Sequence, residues 1–260
     1  MLLEKKNAII YGAGGGIGGG VARTFAREGA AVFLAGRSGP PLEAVAADIR
    51  AAGGSAEVAV LDATDERAVD AHVEAVTASA GSVDVSFNLI SRGDVQRTPL
   101  VDMTTDDLLR AVVTGLTSNF LTARAAARRM TQQGSGVILH LNSASGAGAM
   151  PGMGSTGPAD AATESFMRYL AAEVGPHGVR VLGIHTAGVV ETLTQEGLDE
   201  VGGEGTPDPE TVERMIAGMA MLRRAPRLAQ VADAAAFLAS DRASGMTATM
   251  ANVTCGLVPG

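Results

Sequence analysis

Short apolar segments alternate with longer segments of helical periodicity along nearly the whole chain. The apolar segments lie at 7–11, 31–35, 57–61, 83–88, 136–141, 179–184 and 247–253. The helical patterns lie at 17–29, 41–52, 65–79, 105–132 and 158–174. Strands that are apolar on both faces and separated by helices predict a parallel sheet covered on both sides. Because crossovers between parallel strands are right-handed, the alternation predicts a doubly wound α/β fold of about seven strands.

Nothing in the composition marks a domain boundary, so residues 1–260 are expected to form a single domain. Only the segment 193–227 interrupts the alternation, and it is rich in Gly, Pro and Glu and then in Met. Open α/β sheets bind ligands at one end of their strands. We therefore expect 193–227 to be an insertion that forms a substrate loop over that end.

Charge and composition argue against several classes of partner. The 20 basic and 28 acidic residues give a net charge of −8, which disfavours nucleic acid and anionic membranes. No apolar run reaches the ~18 residues of a membrane span, and the N-terminus lacks a signal-peptide core. The single cysteine, Cys255, excludes an intrachain disulfide. The expectation is a soluble, cytoplasmic protein that binds a small molecule and, from its His, Cys, Asp and Glu spacings, no metal.

A glycine-rich segment follows the first predicted strand directly and opens the first helix. It reads YGAGGGIGGG from 11 to 20. Gly12 allows a tight turn, Gly16 lets the backbone approach a phosphate, and Gly18 permits close helix packing. The helix N-terminus adds N–H donors and the positive end of the helix dipole for a pyrophosphate. This context favours a dinucleotide-binding Rossmann fold over glycines used for packing alone.

The end of the second strand lies beside the adenosine ribose in such folds and indicates which dinucleotide binds. An acidic residue there would bind the ribose hydroxyls of NAD. The sequence instead has Gly36, Arg37 and Ser38. Because a guanidinium beside a hydroxyl suits a 2′-phosphate, NADP(H) is preferred over NAD(H). The alternative is that Arg37 is an ordinary surface arginine.

Further segments carry a family resemblance over essentially the whole chain. The matching segments are YGAGGGIG (11–18), LDATD (61–65), FNLIS (87–91), NSASG (142–146), TAGVVET (186–192) and FLASDRASGMT (237–247). They resemble the TGxxxGIG, adenine-contacting acid, NNAG, strand-five, PGxxxT and C-terminal segments of the short-chain dehydrogenase/reductase family.

This resemblance implies cofactor and substrate contacts at particular positions. The implied cofactor-binding residues are Gly12, Gly16, Ile17, Gly18, Asp62, Ala63, Asn88 and Gly188, and Ser143 is the implied substrate-binding serine. The family likeness also implies a homo-oligomer, a tetramer or a dimer, with the apolar segment 246–260 at a subunit interface.

The usual catalytic side chains of the family are missing where the resemblance puts them. Its tyrosine falls on Thr156, the lysine four residues later on Asp160, and the asparagine of its fourth helix on Gly115. No shift of register restores them, because the only tyrosines and lysines lie elsewhere, at Tyr11, Tyr169, Lys5 and Lys6. A threonine hydroxyl hardly titrates near neutral pH and cannot replace tyrosine as the acid.

Three side chains remain as candidates for a catalytic role. Ser143 could hold a substrate oxygen, or it could cap its own strand end. Thr156 could donate a hydrogen bond. Asp160 could accept from the hydroxyls of the nicotinamide ribose, or it could be a solvated acid favoured by the helix dipole.

Histidines and methionines are weaker candidates. His140 is expected to be a core residue on a buried strand, and His185, near the end of strand six, is the better ionisable candidate. Five methionines suggest a soft apolar pocket, with core packing as the alternative; they are Met150, Met153, Met215, Met219 and Met221.

Three hypotheses for the function follow. The first is an NADP(H)-dependent oxidoreductase with a rebuilt proton relay, for which an activated alkene that needs little acid assistance would be suitable. The second is a non-redox isomerase, lyase or cyclase, and the third a catalytically inactive binding subunit. The phosphate-binding segment favours the first two over the third. The missing side chains favour the last two over an ordinary ketoreductase, and the family likeness puts the oxidoreductase first.

Overall fold

The computed structural model describes residues 1–146, 148 and 150–259, so Gly260 of the expected interface segment lies outside the described residues. Seven strands form one parallel sheet, and their bounds are β1 (Asn7–Tyr11), β2 (Ala31–Gly36), β3 (Ser55–Val60), β4 (Val85–Asn88), β5 (Gly136–Ser143), β6 (Val179–Thr186) and β7 (Thr249–Val253). Their order in the sheet is β3-β2-β1-β4-β5-β6-β7. This order is that of a doubly wound Rossmann sheet, which confirms the predicted fold class.

Eight α-helices complete the described fold. They are α1 (Gly16–Arg27), α2 (Gly39–Ala51), α3 (Glu66–Ala80), α4 (Thr105–Gln133), α5 (Thr156–Val174), α6 (Gln195–Gly202), α7 (Pro209–Met219) and α8 (Leu228–Ala239). The first turn of α4 is capped by Thr104, whose hydroxyl accepts from the Asp107 N–H. The same helix ends at Gly134, which has a φ of 73° in the left-handed region that glycine tolerates best.

The two faces of the sheet are covered by separate hydrophobic cores. On one face, Ile10 of β1 packs with Phe25 of α1 and Val231 of α8. On the other face, the neighbouring residue Ile9 packs with Met167 of α5 and other residues of α3 and α4. Successive strand residues point to opposite faces, so a strand buried on both sides must be apolar throughout. This requirement is why the apolar runs predicted the strands.

Strands β5 and β6 extend two residues beyond their predicted ends, to Ser143 and Thr186. Helix α5 begins at Thr156, two residues earlier than predicted. Its preceding residue Ser155 does not cap it, because the Ser155 hydroxyl accepts from the Val95 N–H at 2.9 Å instead. These shifts bring Ser143 and the first two turns of α5 to the same carboxyl edge of the sheet.

The segment 193–227 forms α6, α7 and the loops around them. The Gln96 N–H donates to the Val201 carbonyl at 2.7 Å, which joins α6 to the loop after β4. In the described part of the chain, no helix is both long enough and apolar enough to cross a membrane.

Candidate cofactor-binding and active site

A cavity of about 590 Å³ opens at the carboxyl edge of the sheet. The ends of β4, β5 and β6 form its floor, and α6 and α7 form a wall. Ligands bind to open α/β sheets at this edge. Four of the five singled-out methionines line it: Met150, Met153, Met215 and Met219. Met221 instead lines a separate groove beside Cys255.

The glycine-rich loop has a geometry that side chains would disrupt. Gly12 has a φ of +79°, and a Cβ on it would lie 2.5 Å from the Leu89 carbonyl oxygen. A Cβ on Gly18 would collide with the Gly12 carbonyl. Helix α1 begins at Gly16 with no side-chain hydrogen bond from its N-cap residue, Gly15, and no acidic residue in the first turn. The end of this helix therefore offers N–H donors and a positive dipole to an anion.

The segment TAGVVET (186–192) meets the glycine-rich loop. A Cβ on Gly16 would lie 2.7 Å from Cγ2 of Thr192, the last residue of TAGVVET. In the same segment, Gly188 lines the cavity, and a Cβ on it would lie 2.8 Å from Cδ1 of Ile216 in α7. Ile17 is half-buried and packs against the core beneath α1. The fold thus brings the glycine loop, residues 186–192 and α7 to one end of the cavity.

The expected adenosine contacts lie at the ends of β2 and β3. Arg37 and Ser38 are exposed, and the described residues include no salt bridge from Arg37. Asp62 accepts from the backbone N–H and the hydroxyl of Thr64 at 2.8 and 2.7 Å. These hydrogen bonds, with a smaller contribution from Arg37, lower the pKa of Asp62. Ala63 is buried in the core, so it can offer a ligand little beyond its backbone.

Asn88 fixes the loop after β4. Its side-chain amide donates to the Thr122 hydroxyl at 3.2 Å, and its Oδ1 accepts from the Ile90 N–H at 3.1 Å. Asn88 also lines the cavity. Its role in cofactor binding stays a prediction, and its hydrogen bonds hold the first residues of this loop in place.

Asp160 lies at the centre of a buried polar cluster. Its side chain is 0% exposed, so it is not a solvated acid at a helix start. Oδ2 accepts from the Ser143 hydroxyl at 2.6 Å, and Oδ1 lies 2.6 Å from Nη2 of Arg92. Burial raises the pKa of Asp160, and the opposing effects of Arg92 and Ser143 do not cancel the rise. Its role as a ribose ligand stays a prediction, although both carboxylate oxygens are already engaged.

Arg92 is a site residue that the sequence analysis missed. Its Nε lies 3.2 and 3.1 Å from the two carboxylate oxygens of Asp94, and its Nη2 contacts Asp160. A Cβ on Gly115 would lie 2.9 Å from Cδ of Arg92, so the missing asparagine leaves space for this arginine. Burial disfavours the guanidinium charge, but the two carboxylates together hold the pKa of Arg92 above its ordinary value. A charged residue just beyond β4 was the signal that could have identified it.

Thr156 and Ser143 are both engaged with the protein. Thr156 is buried, and its hydroxyl accepts from the Gln96 side-chain amide at 3.1 Å. Besides its contact with Asp160, the Ser143 hydroxyl accepts from the Ser145 N–H at 3.1 Å. Ser143 therefore caps its own strand end, which was one of the two alternatives, while it also lines the cavity.

The two singled-out histidines lie behind this cluster and do not line the cavity. His140 is buried, as expected, and neither ring nitrogen has a hydrogen-bond partner within the described ranges. Burial lowers its pKa to about 4. Nε2 of His185 lies 2.8 Å from Oε1 of Glu164. Burial disfavours the Glu164 carboxylate, but hydrogen bonds from His185 and Asn142 hold its pKa below the ordinary value.

Across residues 1–146, 148 and 150–259, no group of three or more His, Cys, Asp and Glu side chains is arranged to hold a metal ion.

Comparison with known proteins identifies relatives along nearly the whole chain. The sequence model of a family described as Enoyl-(Acyl carrier protein) reductase matches residues 12–258. The (5R,7aS)-5-hydroxy-7a-methyl-1-oxo-2,3,5,6,7,7a-hexahydro-1H-indene-carboxyl-CoA reductase of Mycobacterium tuberculosis is 34% identical over 98% of this chain and 94% of its own length. The 7alpha-hydroxysteroid dehydrogenase of Escherichia coli is 29% identical over 98% of this chain and 94% of its own.

Solved structures share the fold. The structure of an NAD+-bound xylitol dehydrogenase has a TM-score of 0.87 and 27% identity, covering 98% of this chain and 100% of that one. A 7α-hydroxysteroid dehydrogenase complexed with NADH and 7-oxo glycochenodeoxycholic acid has a TM-score of 0.84 and 28% identity, covering 98% and 94%. These relatives are oxidoreductases, and two of their structures hold a nicotinamide dinucleotide. The chain therefore belongs to the short-chain dehydrogenase/reductase family.

Proposed function

We propose that this protein is an NADP(H)-dependent oxidoreductase whose active site lacks the tyrosine and lysine of its family and acts on a small apolar substrate. The observation that carries the proposal is the combination of a phosphate-binding glycine loop with a largely apolar cavity at one edge of the sheet. Binding of a dinucleotide needs the first feature, and binding of the substrate needs the second.

The residues around the glycine loop fit a phosphorylated dinucleotide. Backbone N–H groups at the start of α1 would hold the pyrophosphate, since the helix begins without a side-chain cap and without an acidic residue in its first turn. Arg37 and Ser38 are exposed and would take the 2′-phosphate. Asp62 would contact the adenine. When bound, the cofactor supplies or accepts a hydride.

The proposed active site differs from that of the family at two positions of α5. Thr156 stands for the tyrosine and donates no proton near neutral pH. Asp160 stands for the lysine, and its charge is already balanced by Arg92. Ser143, which lines the cavity, would position the substrate rather than protonate it, whereas Thr156 is buried beneath Gln96. We therefore expect little activity on simple ketones.

The segment 193–227 would act as the substrate loop. Its helices contribute Met215, Ile216 and Met219 to the cavity wall, and such side chains favour an apolar substrate of variable shape. Met215 and Met219 are each 54% exposed, which is consistent with a wall that a ligand would cover.

Binding of NADPH and NADH to the wild-type protein and to Arg37→Ala tests the cofactor proposal by calorimetric titration. We expect tighter binding of NADPH and loss of the preference in Arg37→Ala. Arg67→Ala is a matched control, because Arg67 is an exposed arginine at the start of α3. Equal affinities, or no binding of either dinucleotide, would refute the proposal.

We also propose that the protein is a cytoplasmic homotetramer or homodimer. The C-terminal segment places β7 at the edge of the sheet, next to β6 alone, and the exposed side chains of Met221 and Leu222 lie in the groove beside it. Edge strands and apolar patches favour association of subunits. Light scattering at micromolar concentration tests this proposal, and a monomer would refute it.

One observation favours a non-redox enzyme as the second candidate. The hydroxyls of Ser143 and Thr156 and the carboxylate of Asp160 are all hydrogen-bonded to the protein. Chemistry that needs no proton donor at the oxygen is compatible with this arrangement. Conversion of a substrate without any change in NADPH absorbance would favour this candidate.

A further inference from the structure

The guanidinium of Arg92 is held in the cavity wall through two of its three nitrogens. Its side chain is 12% exposed and lines the cavity with Ser143 and Gly115. Nε and Nη2 have acceptors on Asp94 and Asp160, whereas Nη1 has none among the described residues. Among the described residues, Nη1 is not one of the fully buried side-chain atoms without a hydrogen-bond partner, so part of its surface is open. It is therefore accessible from the cavity.

Two carboxylates fix the plane of this guanidinium. Asp94 contacts Nε from the same loop, and Asp160 contacts Nη2 from α5, so rotation about the side-chain bonds would break charge-assisted hydrogen bonds. The space above Gly115 accommodates the aliphatic part of the arginine. A donor that is held before the substrate arrives needs no reorganisation during the reaction.

We propose that Nη1 of Arg92 binds the oxygen on which negative charge develops in the substrate, and that Asp94 and Asp160 are positioning residues for it. This inference rests on the proposed function and adds the residue that takes over the electrostatic role of the missing tyrosine and lysine. The guanidinium stays protonated at all physiological pH values, so it stabilises the charge without giving up a proton.

The chemistry of this donor favours one class of substrate. Hydride addition to a simple ketone leaves a localised alkoxide, which needs an acid close by. Hydride addition to the β-carbon of an α,β-unsaturated carbonyl moves the alkene electron pair toward the carbonyl and leaves an enolate. Arg92 can hold the enolate oxygen, and water then protonates the α-carbon to complete the product. An arginine in place of the family's tyrosine therefore fits a conjugated carbonyl substrate.

Binding of 4-nitrophenol tests the donor without any turnover. Its phenolate is a delocalised oxyanion that absorbs visible light, so titration reports how strongly the site prefers the phenolate over the phenol. We expect the wild-type protein to lower the apparent pKa of the bound probe. Asp160→Asn should bind the phenolate at least as tightly, because the amide oxygen can still accept from Nη2 of Arg92 and position it while a competing negative charge is removed.

The decisive variant is Arg92→Gln combined with Asp160→Asn, which removes the guanidinium without leaving Asp160 buried and unpaired. It should bind the phenolate about 10- to 100-fold more weakly, the loss expected for one charge-assisted hydrogen bond, and bind the neutral phenol unchanged. Arg97→Gln is the matched control, since Arg97 lies at the same cavity but is exposed and has no contact with Asp160.

Two results would overturn the inference: unchanged phenolate binding in the double variant, or an equal loss in Arg97→Gln. Circular dichroism verifies that the double variant is folded, and Asp160→Asn shows whether any loss comes from the aspartate alone. Calorimetric titration of NADPH runs on the same samples. Bound NADPH without Arg92-dependent phenolate binding refutes this inference alone, and the converse result refutes the cofactor proposal alone.

Discussion

The carboxylate of Asp160 and the guanidinium of Arg92 form a buried ion pair, with 2.6 Å between Oδ1 and Nη2. The two residues are 68 positions apart in the sequence and join α5 to the loop after β4. Their side chains are 0% and 12% exposed, so the Asp160 carboxylate is withdrawn from bulk water and the Arg92 guanidinium faces only the cavity. The cluster with Asp94 and Ser143 thus depends on both partners being present.

Removing one partner of this pair should destabilise the protein unequally. Arg92→Gln leaves Asp160 as an unpaired buried charge, and we expect a loss of about 3–5 kcal/mol in the free energy of unfolding. Asp160→Asn should cost less, because Arg92 keeps Asp94 and the asparagine still accepts from Ser143. Urea denaturation of both variants measures the difference. Equal losses of unfolding free energy in the two variants would show that the unpaired Asp160 carboxylate is not the cause of the destabilisation.

The glycine loop can be tested with two substitutions of similar backbone cost. Gly12→Ala and Gly53→Ala both place a side chain at a positive φ, +79° and +83°. At Gly53 the added Cβ meets nothing within 4 Å, so only the conformational cost of about 1–2 kcal/mol applies. At Gly12 it also meets the Leu89 carbonyl. We expect NADPH binding, measured by calorimetry, to be lost in Gly12→Ala and kept in Gly53→Ala.

The sequence predicted the sheet well because its signal is local. Strands β1, β2, β4, β5 and β6 are largely buried between helices. This burial requires an apolar run that can be recognised without knowledge of the rest of the fold. The ends of β5 and β6 were placed two residues too early. Their last residues, such as Asn142 and Ser143, are polar, and both form hydrogen bonds with Asp160 of α5 that no local pattern predicts.

The site residues could be predicted from the sequence only where a family motif fixes their spacing along the chain. Ser143, Thr156 and Asp160 were identified from their spacing, and the structure brings Ser143 and Asp160 into contact. Arg92 was missed because its position depends on the path of residues 92–97. That path is set by residues far along the chain. The Val95 N–H donates to the Ser155 hydroxyl, and the Arg97 N–H donates to the Gly152 carbonyl. Such contacts have no periodicity in the sequence.

His140 should contribute to acid instability. Burial lowers its pKa from 6.5 to about 4, so the unfolded chain binds a proton between these values and the folded protein does not. The contribution of His140 to the free energy of unfolding is therefore fully present above pH 6.5 and falls as the pH drops toward 4, by up to about 1.4 kcal/mol per pH unit.

His140→Leu should flatten this decline in denaturation curves from pH 7 to 4. His177→Leu is the control, because His177 is exposed. The same slope in wild type and His140→Leu would exclude His140 as the cause.

Restoring the family's tyrosine and lysine should fail unless Arg92 is also replaced. In Asp160→Lys the new ammonium would lie against the Arg92 guanidinium in a buried position, where like charges are strongly unfavourable. Thr156→Tyr also needs space, because Thr156 is buried beneath Gln96. We expect the variant Thr156→Tyr with Asp160→Lys to unfold at lower urea concentration and to reduce ketones no faster than wild type.

Adding Arg92→Ala and Gln96→Ala removes the repulsion and the crowding. General acid catalysis contributes typically about 10²- to 10⁴-fold, so the fourfold variant should gain measurable ketone reduction, followed as loss of NADPH absorbance. The variant Arg92→Ala with Gln96→Ala, which keeps Thr156 and Asp160, is the control and should gain none. Robust ketone reduction by the unmodified protein would show that another group supplies the proton, and Ser143 and His185 would then be the first residues to replace.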